Sequence, residues 1–174
     1  MEISTSKLDP NFVFTTSELE SKKKLQLDKL FLFDNQDNEK FLSTFKPMVS
    51  NITLNKELYA YRGMRLRPND FRKILNSNME NKRKYSFMVT FGVEPIQALY
   101  YALRPPKCDI DLEEPACSVI FQLNLPKIIG SDIRIEKDCN DQPFWDVWGD
   151  IPKMYFNKFY IFNIESLKFQ EFFV

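Results

Sequence analysis

The sequence predicts an α+β fold, and three observations lead to it. Helical patterns crowd the first third of the chain. Alternating aromatic and β-branched runs fill the rest, with one helix embedded among them. The regular strand–helix–strand alternation of a dinucleotide-binding sheet is missing. At 174 residues with 44% hydrophobic content, the chain is the size of one domain with a real core. No repeat, low-complexity tract or long Pro/Gly/Ser linker divides it, so residues 1–174 read as a single domain. Residues 1–55 form a helical N-terminal part and residues 56–174 a strand-rich core.

Taken in order, Thr15-Thr16-Ser17-Glu18 is a capping-box pattern, with a hydroxyl three positions before a carboxylate. It opens a helix carrying Leu19, Leu25, Leu27 and Leu30. A second helix is expected from Asn38 to about Phe45, with Phe41 and Phe45 at i, i+4 and Pro47 opposing its continuation. Leu58 to Arg62 reads as a short strand, and Pro68-Asn69-Asp70 starts a helix with Phe71, Ile74 and Leu75 on one side. Tyr85 to Phe91 is a strand, Gly92 and Pro95 bracket a turn, and a short helix then holds Ala98, Leu99, Tyr101 and Ala102. Cys108 to Pro115 is an acidic loop. Cys117 to Leu125 alternates as a strand with Val119, Phe121 and Leu123 on one face. Ile133 to Ile135 and Phe159 to Ile164 give further strands, and Lys168 to Val174 an edge.

Composition excludes much chemistry. With His 0, Ser–His–Asp and Cys–His catalysis, histidine metal sites and imidazole switches are all ruled out. The four glycines are too widely spaced for a phosphate-binding Walker loop or a GxGxxG turn. Cys108, Cys117 and Cys139 contain no CxxC; three thiolates without histidine make a poor zinc site, and no metal is expected. The odd count suits reduced thiols in a cytosol. Lys+Arg 24 balance Asp+Glu 24, so charge arguments must be local. From Lys56 to Lys84, nine Lys/Arg face three Asp/Glu, a basic segment suited to pyrophosphate or an acidic partner. The N-terminus lacks a signal-peptide pattern and no apolar stretch reaches membrane-spanning length. A cytoplasmic protein without a membrane partner is expected, with secretion into a host or rival cell left open.

Two segments carry candidate chemistry. In Tyr61-Arg62-Gly63 an arginine ends a short strand beside a glycine, and guanidinium suits phosphate oxygens. In Thr90-Phe91-Gly92, running through Pro95 to Ala98-Leu99-Tyr100-Tyr101-Ala102, a strand ends in a hydroxyl and a helix packs through small residues. Gly92 leaves room for a flat ligand, and Phe91, Tyr100 and Tyr101 offer stacking faces. The plainer alternatives are a turn glycine, a surface arginine and core aromatics.

Together these segments resemble the ADP-ribosyltransferase superfamily, and within it the FRG domain, named for its Phe/Tyr-Arg-Gly motif. That family's second motif, Asp-Trp-Thr, two residues, Pro, two residues, Ala-Leu-Tyr-Phe-Ala, lies on Thr90 to Ala102 without a gap. Pro95, Ala98, Leu99, Tyr100 and Ala102 are identical to it. The family's following strand resembles Ser118 to Asn124, and its later Arg-Ile…Gln segment resembles Arg134-Ile135 and, at a shifted spacing, Gln142. The resemblance implies a split, mostly antiparallel β-sandwich over residues 56–174 with a cleft for NAD. It implies that Arg62 holds the dinucleotide phosphates and that Thr90 and Phe91 hold the nicotinamide ribose and ring. Tyr61, Gly63 and Tyr100 complete the cofactor-binding set.

The sequence also departs from the superfamily. Past Gly63 there is no Ser-Thr-Ser strand and no Glu-x-Glu pair. Glycosyl transfer needs a carboxylate by the reacting ribose. Asp146, between Trp145 and Trp148, is the candidate, ahead of Asp150, Glu113 and Glu114. The expected catalytic set is therefore Arg62, Thr90 and Asp146. The implied activity is transfer of ADP-ribose from NAD to a macromolecular acceptor, protein rather than nucleic acid, or hydrolysis of NAD. Small superfamily members are often bacterial effectors, toxins or phage proteins. The alternative is a catalytically inactive module of the same form that binds a nucleotide or a protein partner.

Overall fold

The computed structural model describes residues 9–24, 43–76, 78–79, 88–103, 113–138 and 143–173. The fold is α+β. Helix α1 (Thr16–Lys23) starts where the capping box places it, with the Thr15 hydroxyl accepting from the Glu18 amide at 3.0 Å. It stops at Lys24, in the left-handed region at φ 52°, short of the leucines at 25, 27 and 30, which lie outside the described residues. Of the second expected helix only residues 43–45 are described. They are helical and lead into a 3-10 turn, Lys46–Val49, at Pro47.

Seven strands form one antiparallel sheet. They are β1 (Tyr59–Leu66), β3 (Met88–Gly92), β4 (Cys117–Asn124), β5 (Ile135–Asp138), β6 (Phe144–Trp148), β8 (Phe156–Asn163) and β9 (Lys168–Phe173), in the spatial order β5-β6-β3-β1-β4-β8-β9. β2 (Asn78–Met79) and β7 (Ile151–Pro152) pair separately. β4 is buried from Cys117 to Leu123, as a central strand must be. One face of the sheet, here the inner face, buries a cluster that includes Val89, Phe91, Phe121, Val147, Phe159 and Phe172. The other, outer face buries Tyr61, Ile120, Tyr160, Phe162 and Phe169. α2 (Pro68–Asn76) puts Phe71 and Leu75 into the inner cluster, and α3 (Pro95–Leu103) packs on the outer face of β1.

Two strands run longer than their local patterns predict. β1 extends to Leu66 because it pairs with β4 over eight successive positions, and this outweighs the charges at Arg62 and Arg65. β8 begins at Phe156 rather than Phe159. The short helix α4 (Leu125–Ile129) was not foreseen. Asn124 caps it, accepting from the Lys127 amide at 3.1 Å, with Pro126 in the first turn.

The N-terminal segment is tied to the sheet by a buried arginine. Phe14 and Ala116 exchange backbone hydrogen bonds at 3.2 and 3.0 Å. Arg65, 6% exposed, donates to the carbonyls of Phe14 and Ala116 and to the Ser118 hydroxyl, and its guanidinium lies 4.3 Å from the Phe14 ring centroid. Burial lowers its pKa to about 10.

Cys117, fully buried, has its thiol pushed by burial from an ordinary 9.0 up to about 11. The folded state thus keeps this proton to higher pH than the unfolded state. The resulting stability is complete below pH 9 and is lost as pH rises toward 11, by up to about 3 kcal/mol. Buried Tyr61 and Tyr160 are shifted upward by the same cause and reinforce the trend. Urea melts at intervals from pH 8 to 11 should show this decline, and a flat profile would contradict it. In a variant with Cys108 and Cys139 replaced by serine, the remaining thiol should resist alkylation until the protein unfolds.

Candidate functional site

Three residues separated by 28 and 56 positions in sequence, Arg62, Thr90 and Asp146, are linked by two hydrogen bonds. Arg62 Nη1 donates to the main-chain carbonyl of Thr90 at 2.9 Å, and Thr90 Oγ1 donates to Asp146 Oδ1 at 3.0 Å. The sheet explains both. β3 pairs with β6 over five positions, with Thr90 opposite Asp146, whereas β1 and β3 share a single pair, Tyr61 opposite Gly92. Past that pair β1 no longer runs alongside β3, and the arginine side chain supplies a donor for the Thr90 carbonyl.

The same registers separate the side chains. Tyr61, Gly92, Thr90 and Asp146 follow one face by alternation, and Arg62 and Phe91 the other. Arg62, half-buried, sits on the inner face between Ala60 and Met64, while the hydroxyl and the carboxylate lie on the outer face. The trio meets through the Thr90 main chain and not around one open space.

The other expected site residues fall elsewhere. Tyr61 is fully buried under α3, its hydroxyl donating to the Thr53 carbonyl. Phe91, fully buried, packs against Phe156 with ring centroids 6.2 Å apart, and Tyr100 is 5% exposed in the outer cluster. Of the three aromatics expected to stack on a ligand, only Tyr101 is exposed. Gly63 does not make room for a ligand. A Cβ there would lie 1.6 Å from the Ala98 carbonyl oxygen and 2.8 Å from the Ala102 nitrogen, so its bare face is filled by α3. The small residues Ala98 and Ala102 serve the same close crossing of helix over strand.

Around Thr90 and Asp146, Glu136 and Phe144 escaped the sequence reading, whereas Trp148 and Arg134 were named in it. Glu136 lies directly opposite Asp146 on β5, and Phe144 and Trp148 flank Asp146 on the outer face. The Arg134 guanidinium stacks 4.0 Å from the Trp148 ring centroid and pairs with Glu136 at 3.1 Å. The available signal was at Asp146, which falls in phase between the aromatics Phe144 and Trp148; Ile135–Asp138 gave none, three of its four residues being charged. Of the other carboxylate candidates, Glu113 accepts from Ser17, Glu114 pairs with Arg67, and Asp150 lies beyond the end of β6. Gln142 is outside the described residues.

The basic segment from Lys56 to Lys84 does not act as one patch. Lys56 pairs with Glu94 at 3.0 Å, Arg67 with Glu114 and Asp70, and Arg65 is internal. Lys82, Arg83 and Lys84 are outside the described residues. Among the described residues no helix is long and apolar enough to cross a membrane. The chain matches no protein-family model, no curated protein and no solved structure.

Proposed function

We propose that this protein is an ADP-ribosyltransferase-like module that binds NAD, with Arg62 as the clamp on the diphosphate. The observation that carries this reading is the placement of Arg62. A guanidinium stands half-buried on the inner face at a junction where two strands share a single pair, bonded to the main chain of Thr90, whose hydroxyl–carboxylate couple lies on the opposite face. A planar guanidinium is suited to phosphate oxygens. The split, sandwich-like division of the sheet that the resemblance implies would fall at this junction.

The Thr90–Asp146 bond favours a second reading, in which NAD reaches across the β1–β3 junction to place its nicotinamide ribose on the outer face, is cleaved there, and has its ADP-ribose passed to a macromolecular acceptor. There the bond from the ribose anomeric carbon to the nicotinamide nitrogen breaks, and nicotinamide leaves with the bonding pair. The acceptor's nucleophile then attacks the anomeric carbon and loses its proton. Asp146 would offset the positive charge developing on the ribose, and Thr90 would hold that carboxylate in place. Half-buried Trp148 and Phe144, in place of Phe91 and Tyr100, would wall the nicotinamide ring.

Thermal melts with millimolar NAD, followed by detection of nicotinamide on the same samples, separate the two readings. At a hundredfold its dissociation constant a ligand adds about 2.7 kcal/mol. Binding alone is expected to raise the melting temperature without nicotinamide release. Release that Asp146→Asn lowers at least a hundredfold, with the NAD shift retained, would establish transfer or hydrolysis. No shift with NAD would overturn both readings.

A further inference from the structure

We propose that the open edge of β9 pairs with the same edge of a second copy of this chain, about a two-fold axis at Phe172. The inference goes beyond NAD binding and does not depend on it. β9 closes one end of the seven-strand order. Asn51 Nδ2 donates to the Phe169 carbonyl at 2.9 Å, so the main chain of that residue faces away from β8. Antiparallel alternation turns Glu171 and Phe173 the same way, and neither has a main-chain partner among the described residues. Asn51 thus covers the edge at Phe169 and leaves the two outward positions beyond it open.

The opposite edge, β5, is blunted, being four residues long with three of them charged. The open end of β9 is not: Phe173 is 53% exposed, and Glu171 is already paired with Lys158. An apolar edge with open main-chain groups is a template for another strand, and β9 is its own complement. An antiparallel pair centred on Phe172 sets Glu171 opposite the partner's Phe173 and Phe173 opposite the partner's Glu171. The open residues then satisfy one another, and Phe169 with its Asn51 stays outside the paired segment. On the inner face Phe172 meets the partner's Phe172, extending the stack in which the Phe159 and Phe172 ring centroids lie 5.8 Å apart. On the outer face Lys158 Nζ lies 5.3 Å from the Phe173 ring centroid. It leans toward the edge where the partner's Glu171 arrives, so the charges are complementary. A two-fold pairing closes and stops at a dimer. It covers far less than the about 1,600 Å² of a standard interface, so the dimer is weak and forms with concentration.

Sedimentation equilibrium of the full chain from micromolar to millimolar concentration, with amide hydrogen exchange at both ends of that range, tests this. A monomer–dimer equilibrium is expected. Exchange at the Glu171 and Phe173 amides should slow severalfold on concentrating, while Gln170 and Phe172, which face β8, stay as they were. Glu171→Pro removes an outward N–H that β8 does not use, so it should keep the fold and abolish the dimer. A chain monomeric throughout, association that continues past the dimer, or a dimer that leaves the two amides unprotected would overturn the proposal. So would a folded Glu171→Pro protein that dimerises as the wild type does. Should that variant unfold, the wild-type exchange pattern decides alone.

Discussion

Gly63→Ala is expected to destabilise the fold by about 3 kcal/mol or more, the upper range for overpacking, and to lower the melting temperature by roughly 6–12 °C in a domain of this size. The added methyl would sit 1.6 Å from the Ala98 carbonyl oxygen, so either α3 lifts from β1 or the strand bends. Because the collision is with main-chain atoms, no rotamer change relieves it, and Ala98→Gly should not rescue it. Denaturant melts of the single and double variants check both statements. A Gly63→Ala protein as stable as the wild type would mean that α3 does not cross β1 this closely. The effect belongs to folding: it follows from helix packing and not from any ligand.

The second large effect is expected at Arg65. Its guanidinium is 6% exposed and satisfies two backbone carbonyls and a hydroxyl, and among the described residues no carboxylate is bonded to it. Arg65→Lys keeps a buried charge but replaces a planar fork with a single ammonium that cannot reach all three acceptors. It should cost about 2–4 kcal/mol, as expected for a buried charge with incomplete hydrogen bonding. Arg65→Met removes the charge, and each carbonyl retains the backbone bond that Phe14 and Ala116 exchange, so it should cost less than the lysine variant. Equilibrium urea unfolding of the two variants gives the order. A lysine variant more stable than the methionine variant would contradict this account of the strap.

Much of the architecture was legible because local chemistry and tertiary structure agreed. The Thr15 cap, the Pro68 and Pro95 helix starts and the alternation in Cys117–Asn124 each act within a few residues, and each stands where the sequence placed it. β6 was not identified as a strand because Asp146 and two tryptophans gave it no apolar stripe. Its pairing with β3 and β5 is a long-range property. Helix α4 was absorbed into the preceding strand because Leu125 continues that strand's apolar pattern, whereas the Asn124 cap and Pro126 decide its ending.

Arg62, Thr90 and Asp146 were singled out one by one in the sequence as candidates, and the hydrogen bonds joining them are in the structure. Their division between two faces was not legible, since it depends on the register of β1 against β3. Tyr61, Phe91 and Tyr100 illustrate the complementary limit. An aromatic side chain reads the same in sequence whether it lines a cleft or fills a core, and here all three are buried.

The most direct test of the central claim is calorimetric titration of NAD into the wild-type protein and into Arg62→Ala, with each protein first shown to be folded by its melt. Wild-type binding that falls at least tenfold in the variant is the predicted result. A wild type that takes up no NAD, or a variant that binds it equally well, would contradict the assignment of Arg62 as the diphosphate clamp.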